Sequence, residues 1–144
     1  MSSGFDNPVV YAINPKGAKG DATSTHVVWK ERKGAPATPS MVAWGDEVYW
    51  ISEGAVATCA DAKTGKIHWS QRLGGGCSAS PVAADGRIYF QNEKGVGFVV
   101  KAGKQYELLA ENDLEEPSLA SYAVTDGGLI IRTEKKLWKI SNAK

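Results

Sequence analysis

Few residues in this chain have types and spacings that could do chemistry. Cys59 and Cys77 could act as thiolates or pair, but neither sits in a C-x-x-C pattern and two thiols make no disulfide framework. They read as free small residues; pairing would imply an oxidising compartment. His26 stands in a polar stretch and His68 beside Trp69, and neither has a partner at metal-ligand spacing, so neither a zinc centre nor a His-based hydrolase is expected. G-x-S-x-G, P-loop and dinucleotide fingerprints do not occur. In Gly74-Gly75-Gly76-Cys77-Ser78 the amides of Gly75 and Gly76 could meet a ligand or a subunit. The run lacks the strand-helix unit of a phosphate cradle, and a tight crossing accounts for its glycines. Trp29, Trp44, Trp50, Trp69 and Trp138 could stack on sugars or form a protein-binding platform. Trp44, next to the Gly45-Asp46 turn, is the one placed for exposure and for contact with a ligand or subunit.

The background against which these residues stand is plain. The 144 residues (15.4 kDa) are 42% hydrophobic and 23% charged, the balance of a folded globular domain. A net charge of +1 provides no field to gather nucleic acid or an anionic membrane, so neither is an expected partner. The longest apolar runs, such as Gly95 to Val100, fall far short of the ~20 residues of a membrane span. Met1-Ser2-Ser3-Gly4 lacks the basic and apolar regions of a secretory signal, and residues 1–7 read as a tail or a cut point.

What must position any site is a repeat of about 40 residues. Val48-Tyr49-Trp50-Ile51, Ile88-Tyr89-Phe90-Gln91 and Leu129-Ile130-Ile131-Arg132 are strand-type runs whose starts are 40 and 41 residues apart. Each follows a hairpin signal, Gly45-Asp46, Asp85-Gly86 or Asp126-Gly127. Before each hairpin lies another run that begins at an equivalent serine: Ser40, Ser80 and Ser121. Third strands are expected at Val56 to Ala60, Gly97 to Lys101 and Leu137 to Ile140, and fourth strands at Val27 to Lys30, Lys66 to Gln71 and Tyr106 to Glu111. Thirteen short strands with almost no helical periodicity leave a sandwich or a propeller, and the period favours the propeller.

The segment Cys59-Ala60-Asp61-Ala62-Lys63-Thr64-Gly65-Lys66-Ile67-His68-Trp69 resembles the tryptophan-docking motif of PQQ-like (quinoprotein-like) propeller repeats, Ala-x-Asp-x-x-Thr-Gly-Lys-x-x-Trp. Asp61, Thr64 and Gly65 would shape the turn between third and fourth strands, and Trp69 would pack between neighbouring blades. Cys59 replaces the usual small Ala. A second copy begins at Ala12-Ile13-Asn14 and reaches Trp29 after an insertion through Ala18 to Thr25. A third keeps Lys101-Ala102-Gly103-Lys104, with Tyr106 and Leu108 near where its tryptophan is expected.

The resemblance implies an all-β partial propeller of four-stranded antiparallel blades: a partial blade at 8–33, blades at 38–72 and 79–112, and a partial blade at 120–141 within the repeat region 8–144. Such a chain starts mid-blade, as a natural fragment or an engineered propeller of few blades would. Too few blades are present to close a ring of the usual four to eight, so the expected partner is a second copy that completes the ring, alongside other protein partners. Dehydrogenases of this family hold pyrroloquinoline quinone and calcium among side chains from several blades. That constellation is not identifiable here, and the expectation is a non-catalytic scaffold without a cofactor. The alternatives are a piece of a quinone-dependent dehydrogenase and a propeller that binds a small ligand or sugar. Many relatives of this type look exported or envelope-associated, though the chain carries no address of its own.

Overall fold

The computed structural model describes residues 2–3 and 6–141. Among them there is no helix, and hence none long and apolar enough to cross a membrane. Fourteen strands form four separate antiparallel sheets, each a simple meander. The first blade holds β1 (Ser2–Ser3), β2 (Val9–Ile13) and β3 (Val27–Glu31). The second is β4 (Val42–Trp44), β5 (Glu47–Ile51), β6 (Val56–Asp61) and β7 (Ile67–Arg72). The third is β8 (Val82–Ala84), β9 (Arg87–Gln91), β10 (Val96–Lys101) and β11 (Leu108–Asp113). The last is β12 (Ala123–Thr125), β13 (Gly128–Arg132) and β14 (Leu137–Ser141). The fourteenth strand relative to the sequence expectation is β1, whose backbone pairs with Val9 and Val10.

The central strands are rich in aromatic and β-branched residues because both of their faces are covered. In β5, Tyr49, Trp50 and Ile51 are all inaccessible to solvent. Cross-strand register sorts them by face: Tyr49 pairs with Cys59, which pairs with Trp69, while Trp50 pairs with Thr58, which pairs with Ser70. The first set belongs to a core shared with Ile88, Phe90, Phe98 and Val100 of the third blade. Trp50 and Ala60, from the other face, share a second core with Val10 and Ala35, with Trp29 packed against it. The blades therefore stack face to face. Their innermost strands β4, β8 and β12 lie side by side, as strands around a propeller axis must.

Candidate functional site

The functional geometry lies in the seams between blades, which the docking turns and tryptophans build. In the second blade, Asp61 Oδ1 accepts hydrogen bonds from the amides of Lys63 (3.0 Å) and Thr64 (2.8 Å) and from the Thr64 hydroxyl (2.9 Å). Those bonds, chiefly the ones from Thr64, hold its carboxyl below the ordinary value of 3.8. The Gly65 amide closes the turn on Asp61 O at 2.8 Å, at a φ of +73° that favours glycine. A Cβ on Gly65 would stand 2.6 Å from the Trp29 ring, so this turn is a flat seat for an indole. Trp29 of the preceding blade occupies it and donates its Nε1 proton to Ala62 O at 3.0 Å.

The middle seam repeats the device. Trp69 donates to Gly103 O at 3.0 Å, Tyr49 OH accepts the Gly103 amide at 2.7 Å, and the Cys59 thiol lies 3.5 Å from the same carbonyl. Tyr106 meets Trp69 edge-on at 5.3 Å between centroids. Burial pushes the Cys59 thiol up to about 12, Cys77 up to about 11, and Tyr49 well above the usual phenol range. Both cysteines are free and buried, and desolvation favours their neutral thiol form at neutral pH.

At the last seam the pattern breaks. Cys59 pairs with Trp69 and Ala12 with Trp29, whereas Val99, the equivalent residue of β10, pairs with Ala110. The docking position of the third blade is thus Ala110, not Tyr106 or Leu108 as sequence counting suggested. The cause is a longer connection: Asp61 N bonds Lys66 O in the second blade, but Lys101 N bonds Glu107 O in the third, one residue further on. Tyr106 instead packs back on Trp69, and Leu108 is 42% exposed. The turn that would receive an indole follows Ser141, the equivalent of Asp61, and so lies outside the described residues. Tyr122 partly fills the gap: its ring meets Tyr89 edge-on at 6.4 Å, its hydroxyl donates to Phe90 O at 3.4 Å, and burial raises its phenol.

Two further devices recur through the repeat: one links neighbouring blades and was visible in the sequence without a role, and the other anchors the entering connection to its own blade. The Ser40 amide donates to the Ser80 hydroxyl at 2.8 Å, and the Ser80 amide to the Ser121 hydroxyl at 2.9 Å, so the recurring serine links each inner strand to the next. The second device was not anticipated. Glu53 Oε1 accepts the amides of Ala37 and Thr38, Glu93 Oε1 accepts the Ser78 hydroxyl at 2.6 Å, and the buried Glu116 carboxylate accepts the Thr133 hydroxyl. Glu53 and Glu93 recur at the repeat period, which is the signal that could have found them.

The remaining candidate residues fall apart in space. Gly75 (φ +77°) is packed so that a Cβ would lie 2.9 Å from Asn92, and one on Gly76 would lie 3.0 Å from the Glu93 carboxylate. Trp44 is 39% exposed at the end of β4. His26 Nδ1 is hydrogen-bonded to the Thr25 hydroxyl at 2.6 Å, and His68 Nε2 is buried without a partner among the described residues. A quinone with calcium would need gathered carboxylates. The described residues hold no group of three or more His, Cys, Asp or Glu able to bind a metal, and Asp61, Glu53, Glu93 and Glu116 are each engaged in a separate turn or loop. The residues present do not fit that pair.

Stacked three- and four-stranded meanders sealed by docked tryptophans define a partial β-propeller of PQQ-like repeats. The family described as outer membrane protein assembly factor BamB matches residues 6–106, and the chain belongs to that family. Among solved structures it is similar to BamB from Moraxella catarrhalis, with a TM-score of 0.65 at 15% identity over 97% of this chain and 42% of that one. It is also similar to a europium-containing methanol dehydrogenase, with a TM-score of 0.57 at 11% identity over 78% of this chain and 22% of that one. These likenesses concern the fold, and the chain spans less than half the length of either structure. No curated protein matches the sequence.

Proposed function

We propose that this chain is a non-catalytic scaffold module that binds protein through its outer blade faces, a second copy of itself foremost. The observation that carries this reading is that one chain bears both halves of an unformed seam. At the inner seams, the face carrying Tyr49, Cys59 and Trp69 packs on the opposite face of the following blade. The last blade presents the equivalent of the first kind of face, with Ile130, Lys139 and Leu137, and Leu137 is 71% exposed. The first blade presents the second kind, where Ile13 and Val28 are 41% and 58% exposed. Such faces meet head to tail, a heterologous contact that closes as a ring when its rotation allows. The family's description as an assembly factor supports a protein-binding role. In this chain Asp61 and Glu93 are engaged in turns and loops and both thiols in cores, which supports a role without catalysis.

Light scattering after size exclusion tests this directly. A defined multiple of 15.4 kDa is expected, and Leu137→Asp should return it to a single chain with its fold intact. A wild-type monomer at every concentration would contradict self-association. Dye-linked alcohol oxidation on adding quinone and calcium would contradict the non-catalytic reading.

A further inference from the structure

We propose that the outer rim of the third blade is a docking edge for a second copy of this chain, whose strand β14 adds to β11 as an antiparallel neighbour. This contact goes beyond the end-face association proposed above, because it uses the strand edge of an interior blade. Among the described residues, β11 is hydrogen-bonded only to β10 and β14 only to β13. The equivalents of β14 in the second and third blades, β6 and β10, have a strand on both sides. Each free edge presents a row of backbone N–H and C=O groups able to pair with another strand.

Charge selects which edges meet. From Gln105 to Ile131 the chain carries no Lys or Arg, and Glu111, Asp113 and Glu115 are exposed on or beside β11. On and beside β14 the sign is reversed, with Lys135, Lys136 and Lys139 exposed. None of these six charges takes part in an ion pair among the described residues. The other outer edges offer no such match: β3 carries one charge of each sign, Lys30 and Glu31, and β7 follows Lys66 and ends on Arg72. Two copies of β14 would set lysine against lysine, which like-charge repulsion disfavours. Register agrees with charge. An antiparallel pairing that sets Lys139 of the second copy opposite Glu111 also brings Lys135 level with Glu115, because both pairs have the same spacing in sequence. The same register lays Ile140, exposed in the single chain, opposite the small Ala110 and takes its apolar surface from water. The contact is heterologous, since each copy gives β14 to one neighbour and β11 to another.

The test is sedimentation velocity on the intact chain at low salt, with two charge-reversed variants. Glu111→Lys with Asp113→Lys makes both edges basic, and Lys135→Glu with Lys139→Glu makes both acidic. Each variant alone should associate at least tenfold more weakly than the wild type, and an equimolar mixture of the two should regain the association, a rescue that misfolding cannot mimic. Wild-type association should also weaken as salt is raised. Undiminished association of the β11 variant, a mixture no stronger than its components, or association insensitive to salt would overturn the proposal. Val28→Asp, on the outer face of the first blade, separates this contact from the end-face one. Association lost in Val28→Asp and unchanged in the β11 variant would overturn the rim contact and leave the end faces standing; the converse would overturn the end-face reading and leave the rim.

Discussion

The middle and last seams of this molecule are built from equivalent strands in the same register, and they end in opposite states. In the middle seam, Trp69 crosses to Gly103 and leaves Tyr49, Cys59 and the facing Ile88 and Phe90 inaccessible to solvent. In the last seam, Ala110 stands in the tryptophan's place, Tyr89 and Val99 are half-buried, and Val124 and Ile140 on the facing blade are 54% and 43% exposed. Sheet hydrogen bonding is intact within the blades on either side of both seams. Strand pairing therefore makes a blade, and one large side chain from its outer strand decides whether that blade is sealed to the next.

The largest effect should come from erasing this difference. Trp69→Ala removes the indole and its bond to Gly103, and should cost about 3–5 kcal/mol in denaturant unfolding, as large aromatic truncations in cores do. It should make the middle seam as open as the last. Gly65→Ala attacks the first seam from the acceptor side: the new Cβ meets the Trp29 ring at a left-handed φ, for an expected loss of about 1–3 kcal/mol by the same measurement.

Smaller effects should separate the inner-strand ladder from the docking. Ser121→Ala strips the acceptor from the Ser80 amide and should cost about 1 kcal/mol, with faster exchange of that one amide by NMR. The pH dependence contributed by the buried thiols should be smaller still at neutrality and confined to alkali. The Cys59 and Cys77 thiols titrate at about 12 and 11 in the fold, against an ordinary 9.0 once unfolded. Their contribution is whole below pH 9 and is lost as pH rises towards 12, because only the unfolded chain ionises them in that window. Thermal melts should hence be level with respect to these groups from pH 7 to 9 and fall above it, less steeply in Cys59→Ala if that variant remains folded.

The blades were legible in the sequence because their signals are local. Strand-type runs at steps of 40 and 41 residues, each after a Gly or Asp turn, mark the central strands, and Asp61-x-x-Thr64-Gly65 marks a turn whose hydrogen bonds run within five residues. The motif marked Gly65 and Trp29 as docking residues, but only the stacking of the blades shows that one is the seat of the other. What stayed hidden depends on register and on contacts between blades. One extra residue between Lys101 and Glu107 moves the docking slot to Ala110, and no propensity reveals where a strand resumes pairing after such a turn. The recurring serine was visible, but its bond joins residues 40 and 41 positions apart, and only the stacking of inner strands gives it a partner. The openness of the last seam was invisible for the same reason, since an absent ring leaves no motif.

A docked tryptophan seals one seam and its lack opens the other, and hydrogen–deuterium exchange compares the two within one molecule. At a concentration where the chain is monomeric, the amides of β13 should exchange at least tenfold faster than those of β9, although both are central strands with partners on either side. Equal protection of β9 and β13 would contradict the claim, because the last blade would then be held as firmly without a docked indole as the third is with one.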